Sequence, residues 1–147
     1  MKNGSPGNIR TVALTPADPK YPKLLKEISD PPAVVYVRGT GPKISIEKTI
    51  AVVGTRHVTP YGEAATKKLV TELVRLGFII VSGLAYGVDA VAHQAAIDAG
   101  GKTIAVLGCG IDIIEPPSNT DLYWRIVNGN GAVISEIPPV RPGKKGL

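Results

Sequence analysis

The chain has 147 residues, 44% hydrophobic and 20% charged, which is enough for one domain with a buried core and too few for two ordinary domains. The formal net charge is +5, yet residues 51–140 carry six basic and eight acidic side chains, so net charge alone does not argue for a polyanionic ligand. The single cysteine, Cys109, excludes an internal disulfide and favours a reducing, cytoplasmic setting. There is no apolar secretion signal at the start and no apolar run of the roughly 18 residues that a membrane helix needs.

The first third of the chain is rich in proline, which opposes long helices. Leu24, Leu25 and Ile28 stand at helical spacing, so one or two turns are expected between Lys23 and Ser29. A strand is predicted over residues 34–37, and the prolines on both sides of it indicate an edge strand. We expect this part of the chain to lie over one side of a sheet as a lid.

Four short apolar runs predict the core strands: Ile50–Val53, Ile79–Val81, Ile104–Leu107 and Ala132–Ile134. Continuous apolar strands of this kind belong in a parallel sheet that is covered on both faces. The chain is therefore predicted to be an α/β domain whose sheet is mostly parallel, with helices on both faces and an N-terminal extension that adds the edge strand.

Three helices are predicted between these strands. Thr59 and Pro60 have the chemistry of a helix start, and Gly77 ends that helix. Its expected buried stripe consists of Ala65, Leu69, Leu73 and Leu76. The second helix is expected from Asp89 to about Ala99, and a short third one between Thr120 and Asn128.

Glycine-containing loops follow the first three core strands. They contain Gly54, Gly83 with Gly87, and Gly108 with Gly110. Right-handed crossovers place these loops at one edge of the sheet, and ligands of such sheets bind beyond the carboxyl ends of the strands. Because glycine lets backbone N–H groups approach an anion closely, the loops predict a site for a phosphorylated ligand.

Familiar nucleotide and metal motifs are incomplete in this sequence. Gly108-Cys109-Gly110 opens like a dinucleotide fingerprint, but Ile113 occupies the position of the third glycine. Gly101-Lys102-Thr103 lacks the earlier glycine of a phosphate-binding loop and precedes a strand. His57 and His93 are the only histidines and do not form a metal-ligand pattern. We therefore expect no cofactor, no metal and no catalytic residue.

Arg56 is the most informative single residue, because it lies two positions after Gly54, between a strand and a helix start. Its guanidinium could present several donors to a phosphate. Alternatively, Arg56 could pair with Asp89 or Asp112 and hold the loops together. His93, one helical turn after Asp89, is expected to be a packed or capping side chain, whereas His57 could contact an anion.

Five motifs in order resemble the DNA-processing protein A (DprA, also called Smf) family, over about residues 20–139. They are Tyr21-Pro22 with Leu25, Pro31-Pro32 to Gly39, Gly54-Thr55-Arg56 with Tyr61-Gly62, Ser82-Gly83 with Ala85, Gly87, Asp89 and His93, and Ala105 to Asp112 with Pro116 and Asn119. Ser135-Glu136 with Pro138-Pro139 extends the match. The expected organisation is an N-terminal arm (1–19), the family's domain (20–139) and a basic tail (140–147).

The resemblance implies a Rossmann-like domain that binds single-stranded DNA, forms homodimers and helps to load a RecA-type recombinase in recombination and natural transformation. It implies no enzymatic reaction. On this basis the DNA- or phosphate-binding residues are Gly54, Thr55, Arg56, Ser82, Gly83, Gly87, Gly108 and Gly110, with Arg56 contacting a phosphate.

Two departures from the family pattern are present. Glu115 stands where the family usually has tyrosine, and the Phe-Pro-x-Arg-Asn-Arg segment that follows in the family does not occur before Leu147. The alternative hypothesis is a nucleotide-binding or nucleoside-phosphate-hydrolysing enzyme of the related fold. Such enzymes usually carry a Pro-Gly-Gly-x-Gly-Thr motif, which this sequence lacks.

Overall fold

The computed structural model describes residues 9–39, 48–129 and 131–140, which form one six-stranded sheet and three α-helices. Pro42, the proline that follows the predicted strand at residues 34–37, and the part of the predicted basic tail after Val140 lie outside the described residues. The strands are β1 (Val12–Leu14), β2 (Val35–Gly39), β3 (Thr49–Ala51), β4 (Ile79–Ser82), β5 (Thr103–Leu107) and β6 (Ala132–Ser135). The helices are α1 (Pro60–Arg75), α2 (Val88–Asp98) and α3 (Thr120–Asn128), with short 3-10 turns at Lys23–Glu27 and Pro117–Asn119.

The strand order is β1-β2-β6-β5-β4-β3. Strands β3 to β6 are parallel, while β2 is antiparallel to both β1 and β6. The predicted α/β fold with a mostly parallel, Rossmann-like sheet is confirmed, and each of the four predicted core strands is present. No helix in the described ranges is long and apolar enough to cross a membrane.

Helices α1, α2 and α3 pack on one face of the sheet, although both faces were predicted to carry helices. Ile80 of β4 packs against Val70 of α1 and the alanines of α2, and Ala105 of β5 packs with α3. Ser82 pairs with Ala105, and Ile80 lies two residues before Ser82, so these contacts share a face. The reason is topological: each right-handed crossover moves one strand further in the same direction, which keeps successive helices on one side.

The opposite face is covered over β1, β2 and β6 by residues of the N-terminal part. Tyr21 packs with Leu14 and Val35 in a small cluster, and its hydroxyl donates to the carbonyl of Pro32 at 2.7 Å. Over β3 and β5 this face is open, with Val106 42% exposed. The predicted lid therefore covers only half of that face in the described residues.

Strand β2 is an interior strand, so the prediction of an edge strand is wrong. It lies between β6 and β1, and β1 belongs to the predicted N-terminal arm. Proline disrupts pairing only where it stands inside a strand, and Val35–Gly39 contains none. Strand β2 therefore forms backbone hydrogen bonds with a strand on each side.

Helix α1 begins as predicted and buries a different stripe from the predicted one. The Thr59 side chain accepts a hydrogen bond from the Gly62 N–H at 3.1 Å. Thr66 and Val70 are buried, whereas Leu69 and Leu76 are 65% and 64% exposed. Because α1 lies beside the edge strand β3, α2 is its one neighbouring helix among the described elements, and its outer flank faces solvent.

Candidate functional site

The three glycine-containing loops lie at one edge of the sheet, as the sequence predicted. They leave the carboxyl ends of β3, β4 and β5, which are adjacent and parallel. We call them loop 1 (residues 52–59), loop 2 (83–87) and loop 3 (108–116). Gly54, Gly83 and Gly108 therefore share the edge at which sheets of this type bind ligands.

Loops 1 and 2 are in direct backbone contact. The Val88 N–H donates to the Thr55 carbonyl at 3.1 Å. Gly87 has φ +74°, and a β-carbon there would lie 2.2 Å from the Thr55 oxygen. A β-carbon at Gly54 would lie 2.8 Å from the Val88 side chain. Both glycines are therefore needed for this close approach, which holds the backbone of Arg56 beside loop 2.

The polar groups at the start of loop 2 have partners inside the protein. The buried Ser82 hydroxyl donates to the carbonyl of Val52 at 2.7 Å. The Gly83 N–H donates to Oδ2 of Asp89 at 3.1 Å, and Asp89 is itself buried. The first contact joins the end of β4 to the start of loop 1, and the second joins loop 2 to the first turn of α2; together they determine the course of loop 2.

His93 is fully buried beneath loop 2, which agrees with the predicted packed side chain. Its Nδ1 lies 2.6 Å from the Thr103 hydroxyl, which donates to the Ile80 carbonyl at 3.0 Å. The Thr103 oxygen therefore accepts a hydrogen bond from the N–H at Nδ1 of His93. Burial lowers the pKa of His93 from 6.5 to about 4, although the Asp89 carboxylate acts in the opposite direction. The imidazole is neutral near pH 7 and is a packing group.

Arg56 is exposed in loop 1. No hydrogen bond or ion pair joins its side chain to another residue within 9–39, 48–129 and 131–140. Both carboxylates that were considered as its partners are engaged elsewhere: Asp89 accepts from Gly83, and Asp112 pairs with Arg38. Arg56 therefore does not hold the loops together through either carboxylate, and its contact with a phosphate stays a prediction.

The sequence did not reveal the role of Arg38 in β2, which stabilises loop 3 by contacting Asp112. Its guanidinium pairs with Asp112, and its Nε donates to the Thr11 hydroxyl at 3.0 Å. It also donates to the Tyr123 hydroxyl at 3.1 Å, which in turn donates to the Ile111 carbonyl at 2.8 Å. Burial raises the pKa of Tyr123, with Arg38 opposing the shift. Arg38 and Asp112 are 74 residues apart in sequence, so no local pattern could reveal their contact.

Loop 3 contains two glycines in different environments. Gly108 is exposed, and a β-carbon there would meet nothing within 4 Å. Gly110 is buried, and a β-carbon would lie 2.9 Å from the Pro138 carbonyl oxygen. The Asn119 amide donates to the carbonyl of Leu84 at 2.9 Å, which links the 3-10 turn after loop 3 to loop 2. Gly108 is therefore accessible to a ligand, whereas Gly110 allows the chain after β6 to pack closely.

The loop edge, formed by loops 1 to 3 at the carboxyl ends of β3, β4 and β5, is exposed to solvent at residues 53–57 and at Gly108. Two depressions, of about 360 and 620 Å³, lie away from it, between α1 and α2 and at the amino ends of the strands. Within the described part of the chain, no group of three His, Cys, Asp or Glu residues could hold a metal ion. Burial raises the pKa of Cys109, and Glu115 adds to the shift, so the thiol stays protonated near neutral pH. An exposed surface of this kind suits an extended ligand better than a small molecule, which binds in an enclosed pocket.

Known proteins resemble this chain in sequence. Residues 12–146 match the family described as DNA recombination-mediator protein A. The protein Smf of Synechocystis is 46% identical over 128 residues, which are 85% of this chain and 32% of that protein. The DNA processing protein DprA of Bacillus subtilis is 41% identical over 120 residues, which are 82% of this chain and 40% of that protein. The chain thus spans about a third to two fifths of these relatives.

Two solved structures resemble its fold. The X-ray structure of DprA from Streptococcus pneumoniae superposes with a TM-score of 0.76 at 36% identity, over 94% of this chain and 47% of that one. DNA processing protein A from Helicobacter pylori, a protein with a described single-stranded DNA binding mode, gives a TM-score of 0.76 at 30% identity, over 95% and 61% of the two chains. With nearly its whole length matched in both sequence and fold, this chain belongs to the DNA recombination-mediator protein A (DprA/Smf) family.

Proposed function

We propose that this chain binds single-stranded DNA, without catalysing a reaction, in the cytoplasmic processing of DNA for recombination and natural transformation. The observation that carries the proposal is the exposed Arg56 guanidinium, which has no partner among the described residues and lies at the loop edge of a parallel sheet. A guanidinium in such a position is suited to a phosphate oxygen. The DNA binding mode described for the H. pylori relative supports the same ligand class.

The predicted site residues divide into two proposed roles. Arg56 contacts a phosphate, and Thr55 and Gly108 offer exposed surface at the same edge of the sheet. The others shape the edge from within: Gly54, Ser82, Gly83, Gly87 and Gly110. In this proposal DNA lies across the loops on the open edge, held by few charges.

We also propose two macromolecular partners, a RecA-type recombinase and a second copy of the chain. Their support is family membership. Because the chain spans a third to two fifths of its curated relatives, these interactions require direct tests on this chain. Sedimentation at several protein concentrations would measure dimerisation, and co-sedimentation on DNA would measure recruitment of the recombinase.

The alternative of a nucleotide-hydrolysing enzyme is not favoured. Asp89, the carboxylate nearest to loop 2 in sequence, is buried and accepts the Gly83 N–H, and His93 is shielded by the protein. Incubation with nucleoside monophosphates is expected to release neither free base nor phosphate. Sustained release that disappears in Asp89→Asn or Glu136→Gln would support the enzyme instead.

Fluorescence titration with a dT oligomer, compared with a mononucleotide, tests the proposed function. The oligomer is expected to bind more tightly than the mononucleotide, because it offers several phosphates and bases to the open edge. Repeating the titration at two salt concentrations measures the number of phosphate contacts. Tighter binding of the mononucleotide than of the oligomer would contradict the proposal.

A further inference from the structure

Two tyrosines are exposed at the loop edge. The chain has five tyrosines, of which Tyr21 and Tyr123 are fully buried and Tyr36 is half-buried. Tyr61 and Tyr86 are 83% and 52% exposed. An isolated exposed aromatic ring is common on a protein surface, but both of these rings lie at the edge that carries Arg56.

Each of the two residues is placed by the contact between loops 1 and 2. Tyr61 is the second residue of α1, which begins directly after loop 1. Tyr86 immediately precedes Gly87, whose α-carbon faces the backbone of Thr55 and Arg56. Tyr61 is therefore near Arg56 along the chain, and Tyr86 is near it across the loop contact.

Within the described residues neither Tyr61 nor Tyr86 takes part in a hydrogen bond, a ring contact or a cation–π contact; the aromatic contacts found there are those of Tyr123 with Trp124 and of Tyr21 with Lys26. Two exposed aromatic rings thus belong to the same pair of contacting loops, and the helix start after them, as the exposed guanidinium. Proteins that bind single strands combine these elements, with aromatic rings for the bases and positive charge for the backbone.

The distribution of charge favours loops 1 and 2 over loop 3. Loop 1 carries the exposed guanidinium of Arg56, and Glu63 in the first turn of α1 is paired with Lys67. On the side of loop 3, Glu115, Asp121 and Glu136 are exposed. A nucleic-acid backbone is therefore attracted toward the side with the two tyrosines and repelled from the other.

We propose that Tyr61 and Tyr86 stack on unpaired bases while Arg56 holds a phosphate, so that these two rings determine the preference for single-stranded over duplex DNA. This inference rests on the proposed function. In a duplex the bases are stacked on one another, whereas the phosphates remain accessible. Arg56 alone therefore contacts either form, and the rings add affinity only for the single strand.

The test compares three ligands of equal length: a dT oligomer, an abasic oligomer with the same phosphates, and a duplex. Each lost base stack is expected to weaken binding about 5- to 150-fold, so the double variant Tyr61→Leu/Tyr86→Leu, which loses two, should bind the dT oligomer at least about 25-fold more weakly. Its affinities for the abasic oligomer and the duplex, and its salt dependence, should equal those of the wild type. Tyr61→Phe/Tyr86→Phe should retain wild-type affinity, because stacking uses the ring and not the hydroxyl.

Leu69→Ala is the matched control, since Leu69 is a similarly exposed apolar residue on α1, two turns beyond Tyr61. It should leave all three affinities unchanged. Wild-type affinity of the double leucine variant for dT, or an equal loss on the abasic oligomer, would overturn the inference and leave the proposed function standing. Failure of the wild type to bind any of the three ligands would overturn both.

Discussion

The α-carbon of Gly87 faces the carbonyl oxygen of Thr55 so closely that a β-carbon would lie 2.2 Å from that oxygen. This contact joins two loops that are about 30 residues apart in sequence and fixes the backbone that carries Arg56. The candidate site therefore depends on a residue that offers no side chain to a ligand.

Gly87→Ala is expected to destabilise the protein by more than the roughly 1–3 kcal/mol of a strained backbone conformation, because the new methyl group also collides with Thr55. Gly100→Ala is a control for positive φ alone, since Gly100 has a φ of +76° with nothing within 4 Å of the added β-carbon, whereas Gly87 also has ψ −128°. Urea unfolding measures both variants. Equal losses would show that the close approach to loop 1 contributes nothing to stability.

The stability of the protein is expected to decrease as the pH falls from about 6.5 toward 4. The pKa of His93 is lowered to about 4 in the folded protein from 6.5, so between these values the unfolded chain binds more protons. The stability that neutral His93 contributes is fully present above pH 6.5. Between pH 6.5 and 4 the free energy of unfolding falls by at most about 1.4 kcal/mol per pH unit.

Urea unfolding between pH 7 and 5 measures this slope before most carboxylates titrate. His93→Gln should flatten the slope, whatever its effect at pH 7. A His93→Gln variant with the wild-type slope would contradict the assignment of this pH dependence to His93.

Removal of the Arg38 side chain is expected to loosen loop 3. Arg38 contacts Thr11, Tyr123 and Asp112, so Arg38→Met should cost about 1.5–3 kcal/mol, the range for hydrogen bonds to charged groups. The lower half of this range is expected, because water screens the Asp112 contact, whose carboxylate is 35% exposed.

Arg75→Met is the matched control. Arg75 pairs with Glu72 on the surface of α1, where the two side chains are 68% and 57% exposed, and such pairs contribute little. Thermal and urea unfolding of the two variants, side by side, provide the comparison. A loss in Arg75→Met as large as that in Arg38→Met would refute the special role of Arg38.

Local chemistry made the loop edge and the helix starts predictable. The Thr59-Pro60 pair combines a hydroxyl N-cap with proline at the first helical position, which favours a helix start, and a glycine directly after an apolar strand indicates a close backbone approach. These features depend on neighbours in sequence. They were sufficient to predict that Gly54, Gly83 and Gly108 lie at one edge of the sheet.

Features that depend on distant neighbours were not predictable. The buried face of α1 is determined by β4 and α2, so Val70 is buried while the more hydrophobic-looking leucine stripe is partly exposed. Strand β1 has three residues, and its pairing with β2 supplies the reason for its extended form. The contact between Arg38 and Asp112 spans 74 residues.

The measurement that tests the central claim most directly is single-stranded DNA binding by Arg56→Ala as a function of salt, with the exposed Arg75→Ala as control. With roughly two or three phosphate contacts, log K against log salt should have a slope near −1.5 to −2 for the wild type. Arg56→Ala should weaken binding by about 1.5–3 kcal/mol and make the slope about 0.7 less steep, whereas Arg75→Ala should change neither. Unchanged affinity and slope in Arg56→Ala, with binding abolished by Lys144→Ala and Lys145→Ala, would contradict the account.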